Sequence, residues 1–211
     1  MHNELKRLER LLITMGNMVE SLLADSVMAL VEGSPPLMPG IRREDCKAHE
    51  QWLEADKLCL ELLASGKLDP AQVRFVWAAD KIATALKRTA DESLRIGESL
   101  CSCADSSPTA GALSATPRMA TLTQSMLSDA LEALVNRDAV EAAALHLVSR
   151  ELASLNGQAT RELTEGLAGG RIAVPLGAAC LGAAQRLARI GDEALEISNQ
   201  VSRLYRHNQT V

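Results

Sequence analysis

Aromatic residues are almost missing from this chain: its 211 residues include two Trp, one Tyr and one Phe. A sheet protein draws on aromatic and β-branched residues to fill its pleated faces, whereas the Ala and Leu that dominate here suit close-packed helices. Positive charge is not in excess either. The formal net charge is −5, which removes the broad basic face of a nucleic-acid binder, so no nucleic-acid partner is expected. No uncharged apolar run reaches the ~18 residues of a membrane span. The longest, Ile172 to Gln185, contains Pro175 and reads as a core helix. The opening Met1-His2-Asn3-Glu4-Leu5-Lys6-Arg7 is charged and lacks the pattern of a signal peptide. The expectation is a soluble, cytoplasmic protein with no direct membrane insertion.

Catalytic signatures are equally scarce. There is no Gly-rich phosphate loop, no dinucleotide fingerprint and no nucleophile elbow, so no enzyme is expected. The cysteines (Cys46, Cys59, Cys101, Cys103 and Cys180) are odd in number and none is paired at zinc-ligand spacing. Cys101-Ser-Cys103 alone is a weak metal or redox signal, and free thiols in a reducing compartment are the plainer reading.

What is present is a repeat. At an offset of 101 residues, Glu61-Leu62 falls on Glu162-Leu163, and the segment Leu86 to Glu92 falls on Leu187 to Glu193. At an offset of 104, Ser21, Leu23, Asp25, Ala29, Leu30 and Val31 meet Ser125, Leu127, Asp129, Ala133, Leu134 and Val135. One half therefore carries a slightly longer loop. The period is too long for a solenoid unit and reads as a doubled small bundle.

Apolar residues at three-and-four spacing predict three helices per half. They run from about Asn3 to Glu32, Arg42 to Ser65, Pro70 to Leu100, Pro117 to Asn136, Ala139 to Leu167 and Val174 to Arg206. Gly33-Ser34-Pro35-Pro36 with Pro39-Gly40, Gly66 and Gly169-Gly170 punctuate them. Asp69-Pro70 supplies an N-cap and a first-turn proline. Helices this long on short turns lie antiparallel to bury their stripes. The predicted fold is all-α: two tandem up-down three-helix bundles, residues 1–100 and 117–211, joined by a Ser/Ala/Pro/Gly-rich linker at 101–116.

Few residues offer chemistry. In the third helix Phe75, Ala79, Ile82, Leu86, Thr89, Ser93, Ile96 and Leu100 form the core stripe, while Asp80, Lys87, Asp91 and Glu98 share another side. That row reads either as a solvated face with an Arg88–Asp91 pair or as part of a site. On the second helix Asp45 and His49 stand four apart, which suits either a surface pair or two ligands of one metal ion. His146 reads as a core or boundary residue, Trp52 and Trp77 as core or bundle-interface residues, and His2 and His207 as solvated. Arg42, Arg43 and Lys47 form a small basic group that suits a solvated helix start or an anion contact.

Met15-Gly16-Asn17-Met18-Val19, Leu58-Cys59-Leu60-Glu61-Leu62-Leu63-Ala64, and above all Leu86-Lys87-Arg88-Thr89-Ala90-Asp91 with Leu187-Ala188-Arg189-Ile190-Gly191-Asp192-Glu193-Ala194 resemble the PhoU family, the cytoplasmic regulators of bacterial phosphate uptake. The likeness covers nearly the whole chain. It implies two three-helix bundles and a regulatory adaptor that couples a phosphate transporter's ATPase to a sensor kinase. It also implies iron or zinc clusters held by acid-x-x-x-Asp motifs. Here those motifs are altered: Lys87-x-x-x-Asp91, Ala188-x-x-x-Asp192, Asp45-x-x-x-His49, and Ser149 with Ala153 in the fifth helix. The resemblance therefore leaves Asp45, His49, Asp91 and Asp192 as the candidate metal ligands of a reduced site. A Lys87 ammonium among Asp45, Asp80 and Asp91 is the alternative, standing in for the metal's charge. A metal-binding helical protein and a drifted helical scaffold or dimerisation module, forming a homodimer through an apolar face, are the other functions in view.

Overall fold

The computed structural model describes residues 2–32, 38–101 and 115–206. Among them are six α-helices and no strand: α1 (His2–Glu32), α2 (Met38–Ala64), α3 (Pro70–Cys101), α4 (Ala115–Asn136), α5 (Ala139–Ala168) and α6 (Val174–Tyr205). Ser102 and Cys103 of the C-x-C motif, His207 and most of the expected linker lie outside what is described.

Local signals account for the helix ends. Gly66 takes φ +62° just beyond α2, a left-handed conformation that a side chain would strain. Asp69 caps α3 by accepting from Gln72 N–H at 2.8 Å, and Gln72 Oε1 accepts from Asp69 N–H in return. Asp138 caps α5, accepting from Val140 and Glu141. Two starts differ from expectation. Helix α2 opens at Met38 rather than Arg42, because Pro39 falls in the first turn, where no N–H is required. Met38 and Ile41 are buried there and meet α3 at Gly97. Helix α4 opens at Ala115 rather than Pro117, inside the expected linker, with the Ala115 N–H donated to Glu162.

The triplets are α1–α2–α3 and α4–α5–α6, and they meet with α3 against α6 and α1 against α4. Each helix of the seam thus faces its own counterpart in the repeat. One hydrophobic cluster runs through both triplets, from Leu8, Leu12 and Leu22 of α1 to Leu187, Ile190 and Ile197 of α6. Fully burying a Leu or Ile contributes roughly 1.5–3 kcal/mol. By length and composition α1 matches a membrane-crossing helix. Its Leu8, Leu12, Met15, Val19, Leu22 and Leu23 are instead buried in this core.

The α3 stripe holds the core as expected at Ala79, Ile82, Leu86, Thr89, Ser93 and Ile96. Val76, Ala83 and Ala90 are buried as well, because α3 packs against α1, α2 and α6 at once. The buried Thr89 and Ser93 hydroxyls donate to the carbonyls of Ala85 and Thr89 one turn back.

Candidate functional site at the α2–α3–α6 seam

The polar row of α3 is not a solvated face; much of it faces α2. Glu98 accepts from Arg42 at 3.0 Å. Lys87 donates to Asp91 and lies 3.8 Å from Asp45 Oδ1 on α2. Asp80, two turns earlier, lies close enough to Cys59 of α2 to help hold its thiol protonated. Burial first, then Asp80 and Asp56, push that thiol up to about 12. Two sequence expectations change accordingly. Arg88 pairs not with Asp91 but with Glu193 of the second half, at 3.5 Å. Arg42 and Lys47 neutralise Glu98 and Glu44 rather than standing free.

Of the four candidate metal ligands, the structure brings two together. Asp45 and Asp91 converge on the Lys87 ammonium, whose side chain is 15% exposed. His49 is exposed and lies on Trp52, ring centroids 5.5 Å apart and planes 29° off parallel. Asp192 is exposed on α6, in the other half. In the fifth helix Ser149 hydrogen-bonds to the His146 carbonyl and Ala153 faces solvent. Among the described residues no three His, Cys, Asp or Glu side chains gather in a metal-binding arrangement. As they stand, the residues do not fit a metal cluster, because an ammonium holds the cationic position between the two carboxylates. Asp45 Oδ1 is buried without a hydrogen-bond partner, so Lys87 balances its charge from 3.8 Å without a close contact.

A second cluster crosses the seam. Glu92 of α3, its side chain 12% exposed, accepts from Arg186 at 2.8 Å and Arg189 at 3.2 Å, both on α6. Arg95 stands 3.8 Å away on its own helix. In mirror fashion Arg88 of α3 reaches Glu193 of α6. At the offset of 101, Arg88 corresponds to Arg189 and Glu92 to Glu193. The Arg of each copy thus binds the Glu of the other, the reciprocity a two-fold axis imposes. Burial raises the Glu193 carboxyl above its usual range. Arg88 opposes the rise, and Glu196 and Asp192 add to it. Sequence reasoning missed Glu92 and Arg186 altogether. For Glu92 the signal lay in the repeat, which puts Arg and Glu at matching places four apart; Arg186 falls opposite Ala85 and had no such signal.

The glycine of the second signature copy has a packing role. A Cβ on Gly191 would sit 2.1 Å from Leu152 Cδ2, so the small residue sets how closely α6 approaches α5.

Other expectations are corrected too. His146 is exposed and hydrogen-bonds Asn199 at 2.9 Å, because position 146 falls on the outer side of α5. Trp52 packs against the core, but Trp77 is 58% exposed.

Comparison with known proteins matches this architecture. The family model described as the PhoU domain matches twice, over residues 12–100 and 116–201. The chain belongs to the PhoU family. Two relatives carry the name phosphate-specific transport system accessory protein PhoU homolog. That of Pseudomonas putida is 25% identical over 203 residues, covering 96% of this chain and 79% of its own. That of Caulobacter vibrioides (strain NA1000 / CB15N) is 26% identical over 195 residues, covering 92% and 85%. Among solved structures, PhoU from Pseudomonas aeruginosa superimposes with a TM-score of 0.92 at 24% identity, covering 98% of this chain and 99% of that one. The phosphate transport system regulatory protein PhoU from Streptococcus pneumoniae gives 0.86 at 21% identity, covering 100% and 98%. The chain shares the fold of both, and its six helices are the number expected from periodicity.

Proposed function

We propose that the chain is a non-enzymatic regulator of phosphate uptake, working in the cytoplasm as an adaptor on a phosphate transporter's ATPase, a sensor kinase, or both. The observation that carries this reading is the PhoU-domain match to both halves, together with relatives named as accessory proteins of phosphate-specific transport. The chemistry supports a non-catalytic role. Asp45, Asp91, Glu92 and Glu193 form ion pairs within the bundle instead of converging on an open cleft. Long exposed helix faces on a rigid core suit a protein that works by contact.

Deleting the gene tests the reading. Importer genes are expected to be expressed at high phosphate in the deletion strain and silenced again when the intact gene is returned. Expression that still follows phosphate without the gene overturns the proposal. Recovery of neither a transporter component nor a sensor kinase with the tagged chain overturns the adaptor part.

A further inference from the structure

The N-terminal half of α3 and the C-terminal end of α6 enclose an open groove of about 320 Å³. Its lining joins apolar Val73, Trp77 and Leu204 to Arg74, Arg203 and Gln200. Val73 and Trp77 are 41% and 58% exposed, although a tryptophan on a helix of a compact bundle ordinarily packs inside. Lys81 places its ammonium 4.9 Å from the Trp77 ring centroid, a cation–π contact that adds a third positive group beside the groove.

The charge of this groove departs from that of the chain. The protein is acidic overall, with a formal net charge of −5, yet every ionisable residue lining the groove is an arginine. Several arginines elsewhere are neutralised: Arg7 by Glu54, Arg42 by Glu98, Arg88 by Glu193, Arg137 by Glu9 and Arg186 by Glu92. Arg74 and Arg203 form no ion pair with any described residue. The nearest acid along α6, Glu196, already accepts from Gln200 Nε2 at 2.6 Å. Two arginines without counter-charges, set around an exposed indole, are the residue types that dominate binding energy at protein contacts.

We propose that this groove docks an acidic, apolar helical segment of a partner protein. Leucine or phenylalanine side chains would cover Val73, Trp77 and Leu204, and flanking carboxylates would pair with Arg74 and Arg203. The apolar lining argues against a small anion as sole occupant, since phosphate would leave Trp77 in water. A guanidinium forks onto a carboxylate through two parallel N–H···O bonds, which supplies the charge complementarity. The inference stands apart from the phosphate reading, because the groove binds or fails to bind whatever process the chain regulates.

The test uses the full chain carrying Trp52→Phe, which leaves Trp77 as the sole tryptophan. The probe is a short synthetic amphipathic helix with Leu and Phe on one face and Glu flanking them; its twin carries Lys in place of Glu. The Glu peptide is expected to shift Trp77 emission to the blue, saturably, with binding weakened by added salt. Arg74→Glu with Arg203→Glu should weaken it by roughly tenfold or more. Both arginines are exposed, so an unchanged melting temperature shows that the loss is not one of folding. Equal binding of the Lys peptide, or unchanged binding by the double variant, overturns the proposal. Two other occupants would also overturn it. The chain's own end is the occupant if the Glu peptide binds only after residues 207–211 are removed. A second copy is the occupant if the double variant converts a dimer to monomer in sedimentation.

Discussion

Arg189 of α6 binds Glu92 of α3 at 3.2 Å, and the corresponding pair with the halves exchanged, Arg88 and Glu193, closes at 3.5 Å. The two contacts are not equal in setting. Glu92 also holds Arg186 at 2.8 Å and is 12% exposed, whereas Glu193 is 19% exposed beside an Arg88 that is 65% exposed.

Glu92→Ala should therefore cost more stability than Glu193→Ala. Removing Glu92 leaves Arg186, 25% exposed, without its carboxylate. A loss of about 2 kcal/mol is expected, the penalty for breaking a buried pair lowered for the partial exposure of the arginines. Urea unfolding of the two variants checks the order. Equal losses would mean that the Arg186 contact contributes nothing.

Lys87 balances Asp45 and Asp91, so Lys87→Met should destabilise by about 1–2 kcal/mol by leaving two carboxylates facing one another. Lys87→Glu goes further and creates a group of acids that demands a cation. Purified without chelators, that variant is expected to retain iron or zinc that the parent does not, and a further His49→Ala change should lower the retained metal if His49 turns from Trp52 to join Asp45. Elemental analysis reads the result. Stoichiometric metal on the parent protein would refute the ammonium reading.

The raised carboxyl of Glu193 gives a pH prediction. Its folded form holds a proton more tightly than its unfolded form, whose ordinary value is 4.5. The stability it contributes is present below that value and is lost as pH rises through the raised one. Relative to Glu193→Gln, the parent should thus lose stability as pH rises above the ordinary 4.5. Paired denaturation curves across that window decide the sign, and a parent that gains on the variant as pH rises would show that Arg88 outweighs burial.

Thiol reactivity should separate by site. Cys46 is exposed on α2, whereas Cys59 and Cys180 are buried and Cys59 is raised to about 12. Because the thiolate is the nucleophile, iodoacetamide at neutral pH should modify Cys46 quickly and Cys59 only on unfolding. Peptide mass spectrometry over time checks this, and fast labelling of Cys59 in the native protein would contradict its burial.

Much of the architecture was legible in the sequence because helices write their packing at a period of 3.6 residues and their ends in capping residues. Gly66 and Asp69 stand where the chain turns. The start of α2 was misread because Pro39 looks like a breaker when its position in the turn is unknown. The site was harder to read. Arg88 has Asp91 three residues away, a local partner that spacing favours, while Glu193 lies 105 residues along the chain. Only the stacking of the two triplets decides between them. Trp77 misled for a similar reason: its spacing fits a stripe, but the last turn of the neighbouring helix places Arg203 there.

The core that runs unbroken from Leu8 to Val201 means that each triplet supplies the lid of the other. Two separate identical subunits meeting this way would have to change both sides at once with every substitution. Tethered in one chain, the sides are free to diverge. That freedom is visible where Asp45 and His49 stand opposite Ser149 and Ala153, and where Lys87 stands opposite Ala188. The fusion has turned a symmetric object into one with a front and a back, so a partner can be met by one face without meeting its twin.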